Sequence, residues 1–191
     1  MKVLGISGSL RRDSHNTNLL RAAAELADGE TELELWKGLK AVPPYDADDD
    51  VAEAPAAVAE LRDAIAGADA VLFATPEYNS SIPGQLKNAL DWVSRPLATN
   101  PLRNKPVAVV GASTGAFGAV WSQAELRKVL AAIGARVLEC EVACRHAAGS
   151  FDEQGRLVDE EARTQLGEAV ERLVEAARAH EEARTPASVA A

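Results

Sequence analysis

Cysteine is almost missing from this chain of 191 residues: Cys140 and Cys144 are the only two. Four positions apart in a strand-like run, they would face the same side and sit too far apart to bridge easily. No disulfide framework is expected, and both thiols read as buried and free. Histidine is scarce as well: His15, His146 and His180 are scattered, without the spacing of a metal site. Basic residues are outnumbered, 20 Lys and Arg against 29 Asp and Glu, for a formal net charge of −9. That balance argues against nucleic acid or an anionic membrane as the main partner. No apolar run approaches the roughly 20 residues of a membrane span. "MKVLGIS" moves straight into a strand pattern, without the apolar core and cleavage site of a signal peptide. The expected compartment is the cytoplasm. Three familiar motifs are also missing: the G-x-S-x-G elbow, the Gly-Lys-Ser/Thr ending of a nucleoside-triphosphate loop, and the G-x-G-x-x-G dinucleotide turn.

What is present is a globular composition, 47% hydrophobic, of a length that suits one domain. Apolar runs alternate with helical periods. "KVLGIS" reads as a buried strand. A helix follows over about 16–28, with Leu19, Ala23, Leu26 and Ala27 on one face and Gly29 at its C-terminal end. "TELELW" alternates, as an edge strand does. A second helix spans about 54–66 on Val58, Leu61 and Ile65, before the buried strand "ADAVLFAT". "PGQLKNALDWVSR" is a third helix with Pro83 in its first turn and a stripe of Leu86, Ala89, Leu90 and Val93. "KPVAVVGAS" is a fourth strand. A helix on Leu126, Val129, Leu130 and Ile133 ends at Gly134, "RVLECEVAC" is a fifth strand, and a last helix covers about 159–180. The reading is one domain over 1–182 and a disordered tail over 183–191. Strand–helix alternation of this kind gives an α/β fold: a parallel sheet with helices on both faces and right-handed crossovers. Ligands of such folds bind beyond the carboxyl ends of the strands.

Three loops at that end carry residues that suit no core. After the first strand comes "GSLRRDSHN". Ser9, Ser14, Asn16 and Arg11 offer donors at a helix N-terminus, where free N–H groups and the dipole favour an anion. Arginine's planar fork suits phosphate. Taken alone, the stretch reads equally as a capped loop with solvated arginines. After the third strand comes "TPEYNSSIPG", where Glu77, Tyr78 and Asn79 suit a planar heteroaromatic ligand and a polyol; a surface turn with a packed tyrosine is the alternative. After the fourth comes "GASTGAFGAVW", whose glycines let backbone approach a flat ligand, or simply form a strand-to-helix turn. One pocket would explain all three.

Together these segments resemble the NADPH-dependent FMN reductase family of flavodoxin-like proteins, which includes quinone, azo-dye and chromate reductases. The resemblance rests on "GSLRRDSHN", "VPPYDAD", "PEYNSSIPGQLKNALDW" and "GASTGAFG", in the family order over about the first three-quarters of the chain. It implies a three-layer α/β/α sandwich with a five-stranded parallel sheet of order 2-1-3-4-5. It also implies FMN as cofactor. Ser9, Arg11, Ser14 and Asn16 would hold the phosphate, with His15 lining that loop mainly through its backbone. Pro76, Glu77, Tyr78 and Asn79 would contact the ribityl chain and ring, and Ser113 and Gly115 would approach the pyrimidine side. Many relatives carry a second glycine where this chain has Ala119.

The implied activity is an NAD(P)H oxidoreductase: NADPH or NADH reduces the flavin, which then reduces a quinone, free flavin, azo compound or metal oxyanion. The flavin carries the chemistry, so no catalytic side chain and no metal ligand is expected. The competing readings are a flavodoxin-type electron carrier and a flavin-binding regulator. The implied partners are a small-molecule electron acceptor and further copies of the chain, in a homodimer or homotetramer. The helix of Leu90, Trp92 and Val93 is either an interface between copies or part of its own core.

Overall fold

The computed structural model describes residues 1–51 and 54–184. Five apolar runs form the sheet. Strands β1 (Lys2–Ser7), β3 (Ala70–Thr75) and β4 (Pro106–Ala112) are its buried centre, and every residue of β3 and β4 is buried. Strand β2 (Glu32–Trp36) pairs only with β1 and turns Glu32 and Glu34 outward, as its alternation required. All pairings are parallel, with Gly5 opposite Leu72 and Phe73 opposite Val109. With a short edge strand β5 (Arg136–Val137) beyond β4, the strand order is β2-β1-β3-β4-β5, the flavodoxin-like order that the resemblance implied.

The edge beyond β4 differs from expectation. Instead of one strand over "RVLECEVAC", two short strands, β5 (Arg136–Val137) and β6 (Ala143–Cys144), pair with opposite ends of β4. Between them the ladder breaks for a local reason. The Cys140 N–H turns back to the Leu138 carbonyl at 3.0 Å, and Arg127 Nη1 takes the Cys140 carbonyl at 3.1 Å. Cys140 therefore lies off the strand and half-buried, while Cys144 is buried in β6, and both thiols are free. Burial raises both above the ordinary thiol range.

Helices cover both faces. Helix α1 (His15–Leu26) and helix α6 (Glu160–Arg184) bury Leu19, Leu20, Leu166 and Leu173 against one face. Helices α2 (Ala56–Ala66), α3 (Gly84–Val93) and α4 (Val120–Ala132) bury Ile65, Leu86, Trp92 and Leu126 against the other. A short helix α5 (Ala147–Ser150) follows β6. Gly29 is not the cap of α1: the helix ends at Leu26, and Ala27 is already extended. Pro83 sits one position before α3, at its N-cap. The last helix is longer than expected and includes Ala183 and Arg184; the rest of the expected tail, 185–191, lies outside the described residues.

Trp92 belongs to its own core. It is fully buried, its Nε1 donates to the Pro43 carbonyl at 2.9 Å, and its ring meets Tyr45 edge-on at 5.0 Å. Asn88 and Gln85 pin the same 39–45 strap through the Pro43, Leu39 and Val42 carbonyls. No helix among the described residues is long and apolar enough to cross a membrane.

Candidate functional site

The carboxyl ends of β1, β3 and β4 bring the three loops together. Ser9, Arg11, Ser14, His15, Asn16, Pro76, Glu77, Tyr78, Ala112, Ser113 and Thr114 line one open cavity of about 230 Å³. Asn79 and Gly115 lie outside that lining, each one residue beyond it.

One wall is the start of α1. Ser14 is its N-cap: the backbone is extended and Oγ accepts the Thr17 N–H at 3.4 Å. A hydroxyl that accepts keeps its own O–H to donate. The first N–H groups of the helix, on His15 and Asn16, have no acceptor within it, and the dipole makes this end positive. The Ser9 hydroxyl accepts the Arg11 N–H at 3.4 Å, and Arg11 Nη2 donates to the Asp13 carbonyl at 2.5 Å. These bonds hold the guanidinium over its own loop with donors to spare. The His15 ring stacks on Phe151, centroids 5.5 Å apart, and its Nδ1 is buried without a partner. Burial, and then the charge of Arg11, lower its pKa.

Two of the expected ligands have their side chains spent on the protein itself. Asn16 is buried at 3% exposure, and its carboxamide forms a two-bond clasp on Ala112: Nδ2 donates to the carbonyl at 3.0 Å and Oδ1 accepts the N–H at 2.9 Å. The clasp ties the start of α1 to the end of β4, and the Asn16 N–H, in the first turn, has no acceptor within the helix. Glu77 Oε2 accepts the Trp121 and Ser122 N–H groups at 3.1 and 3.2 Å. It thus caps α4, whose own N-cap, Ala119, supplies no side-chain bond. A carboxylate is favoured at a helix N-terminus.

Tyr78 and Ser81 close a tight turn by exchanging N–H···O bonds of 3.1 Å, and Asn79 and Ser80 both take positive φ, 53° and 60°. This is the mirror-image turn that hairpins favour, and asparagine tolerates its left-handed backbone. The turn projects Tyr78 at 53% exposure. Exposed Phe117, on the loop after β4, and Trp121, in the first turn of α4, stand edge to face at 4.8 Å. That loop is anchored from beneath: Ser113 N–H to Cys144 O, His146 N–H to Gly115 O and Ala147 N–H to Ser113 O. The Gly115 N–H donates to Ser113 Oγ at 3.2 Å, so both residues bond within the loop. Gly118 is needed where it stands: φ is +59°, and a Cβ there would come within 2.6 Å of the Ala143 carbonyl carbon.

Sequence reading missed the scaffold beneath these loops. The Thr75 and Ser122 hydroxyls lie 2.9 Å apart, and both meet the Pro76 carbonyl. Gln123 Nε2 donates to the Gly118 and Val142 carbonyls at 3.0 and 3.1 Å. Only their full burial, with no exposed surface on either, marks Ser122 and Gln123 apart from ordinary helix polar residues. No group of three or more His, Cys, Asp or Glu is placed to hold a metal among the described residues.

A larger groove of about 760 Å³ lies elsewhere, between Ala66–Asp69, Asn100–Lys105 and the end of α6 at Arg184. Helices α2 and α6 end there, and Lys105 Nζ donates to the Ala66 and Ala68 carbonyls. Arg103, Lys105, His180 and Arg184 line it beside Asp69 and Glu181.

Comparison with known proteins identifies the family. The profile of the NADPH-dependent FMN reductase family matches residues 1–149. The chain is similar to an NAD(P)H-dependent FMN reductase of Pseudomonas aeruginosa, 43% identical over 91% of this chain and 93% of that one. It is also similar to a 2-hydroxy-1,4-benzoquinone reductase of a Burkholderia species, 38% identical over 87% and 90%. Among solved structures it matches FerB, a flavoenzyme NAD(P)H:(acceptor) oxidoreductase of Paracoccus denitrificans, with a TM-score of 0.82 and 36% identity over 94% of this chain and 98% of that one. With loops, strand order and relatives in agreement, the chain belongs to the NADPH-dependent FMN reductase family.

Proposed function

We propose that the 230 Å³ cavity holds the phosphate and ribityl chain of FMN, and that the protein passes electrons from NADPH or NADH to a small acceptor such as a quinone. The observation that carries the reading is the donor set at the start of α1. Two hydroxyls, the unpaired first-turn N–H groups and the Arg11 guanidinium converge there. Such a set is costly to leave facing nothing and fits a phosphomonoester dianion. FMN, when bound, supplies the redox chemistry: its ring accepts electrons from the nicotinamide and passes them to the acceptor.

The chain's own residues bind and orient. Ser9, Ser14, Arg11 and the His15 and Asn16 N–H groups fix the phosphate. Pro76, Glu77, Tyr78 and Asn79 contribute mainly backbone along the ribityl chain and ring, since the Glu77 carboxylate is committed to α4. Ser113 and Gly115 pass beneath the pyrimidine side, where the Thr114 N–H is the amide left to donate. Exposed Tyr78, Phe117 and Trp121 flank a planar acceptor at the rim. The unit comprises residues 1–182, works in the cytoplasm, and pairs into a homodimer or homotetramer through exposed apolar surface at this rim. The test is anaerobic: FMN-loaded protein is mixed with NADPH, and then with benzoquinone. Rapid bleaching of the oxidised-flavin absorbance followed by recovery with quinone supports the reading; bound flavin that neither NADPH nor NADH bleaches overturns it.

A further inference from the structure

His15 is the one pocket-lining side chain with a buried polar atom that has no partner. Its surroundings do not favour a charge while the pocket holds no anion. The imidazole is the first residue of α1, at the positive end of the dipole, beside Arg11 and against the uncharged Phe151 ring. Of the nearby acidic side chains, Glu77 caps α4 and Asp152, next to Phe151, pairs with Arg156 at 2.7 Å; Asp13, two residues before His15, gives Arg11 only its backbone carbonyl. Arg11 is thus the charge that acts on the ring, and it opposes protonation. A phosphate dianion in the same cavity reverses that balance, because an opposite charge within a few ångströms favours the imidazolium.

We propose that the His15 imidazole takes up a proton from solvent when the phosphate of FMN enters the pocket, so that the site matches the dianion with a charge it does not carry when empty. This rests on the flavin reading of the cavity and adds a role for the side chain of a residue expected to act mainly through its backbone. The consequence is specificity. The pocket prefers the phosphomonoester to riboflavin by more than hydrogen bonding alone, and the preference grows as pH falls through the histidine range. Each pKa unit by which the bound phosphate raises the imidazole tightens binding about tenfold at low pH.

The experiment is calorimetric titration of apoprotein with FMN near pH 7 in two buffers of different ionisation heat, repeated with riboflavin and with His15→Gln. Wild type should take up a measurable fraction of a proton with FMN and none with riboflavin, and His15→Gln should take up none with either. Between pH 8 and pH 6 the FMN Kd of wild type should fall at least about fivefold more than that of the variant. The phosphate's own titration is common to both proteins and cancels. Equal uptake in wild type and variant, or equal uptake with riboflavin, overturns the proposal. If FMN does not bind at all, the flavin reading falls and takes the proposal with it; if FMN binds without proton uptake, only the proposal falls. Should His15→Gln fail to fold, the ring resonances of His15 in wild type decide the matter. Their titration must move to higher pH on adding FMN, and an unmoved titration is the overturning result.

Discussion

Replacing Asn16 by alanine should cost the protein stability even with no flavin present. The side chain is buried and makes two bonds to one backbone unit, 3.0 Å to the Ala112 carbonyl and 2.9 Å from its N–H. Ala112 is itself 2% exposed, so truncation strands a donor and an acceptor together. A buried group left without its partner costs about 1–3 kcal/mol. Allowing for some water entry, two such groups give about 2–4 kcal/mol. With a urea slope of about 2 kcal/mol per molar, the midpoint should fall by about 1–2 M with the slope unchanged. The melting temperature should drop by roughly 5–15 °C, at about 2–4 °C per kcal/mol for a domain of this size. Asn16→Asp should be at least as damaging, because it replaces the donor to Ala112 with a charge against a carbonyl. The assay is equilibrium urea unfolding of apoprotein followed by circular dichroism. An apo stability within about 0.5 kcal/mol of wild type, combined with collapsed FMN affinity, would show that Asn16 is a ligand rather than a clasp.

Other consequences can be checked the same way. Glu77→Ala should destabilise apoprotein by about 1–2 kcal/mol by uncapping α4, with Glu77→Gln losing about half as much; no change in urea midpoint would contradict the capping role. Gly118→Ala forces a Cβ into the Ala143 backbone at a positive φ and should cost about 2–4 kcal/mol, read as a lower melting temperature. The pH dependence has a definite sign. His15 is held below its ordinary value of 6.5 by burial and then by Arg11, and His180 by burial and then by Arg136, Arg184 and Lys105. The unfolded chain therefore binds more protons than the native one, and stability falls as pH drops below about 6.5. Asp28 and Asp152, both held below 3.8 by hydrogen bonds, add their losses only at lower pH. Urea midpoints at pH 7.5 and 5.5 should differ in wild type and converge in the His15→Gln/His180→Gln double variant.

The layers of this fold were legible in the sequence wherever one residue type admitted one environment. "AVLFAT" and "PVAVVGA" carry no polar alternation, so they could only be central strands, and Glu32 and Glu34 put "ELELW" on an edge. Where the outcome depended on a distant partner, the residues were visible but their roles were not. Asn16 and Glu77 read as ligands, and an amide and a carboxylate at a strand end look alike whether they meet a cofactor or a backbone; the backbone groups that their side chains bond within the chain lie 96 and 44 positions away. The split fifth strand was hidden in part for the same reason: "LECEV" alternates well enough for a ladder, but the Cys140 N–H turns back to Leu138 and Arg127, reaching over from α4, takes the Cys140 carbonyl. Gly29 stood where a helix cap is common, yet α1 had already left the helix at Ala27. Ser122 and Gln123 gave no local signal, since a serine and a glutamine early in a helix are ordinary until their burial is known.

The most direct test of the central claim, that the cavity at the start of α1 is a site for the phosphate of FMN, is a comparison of FMN and riboflavin binding to apoprotein by flavin fluorescence quenching. Charge-assisted bonds from Arg11, the hydroxyls and the first-turn N–H groups contribute about 1.5–3 kcal/mol each. FMN should therefore bind at least about a hundredfold more tightly than riboflavin, and Arg11→Gln should erase part of that gap. Equal affinities for the two flavins would contradict the account at its base.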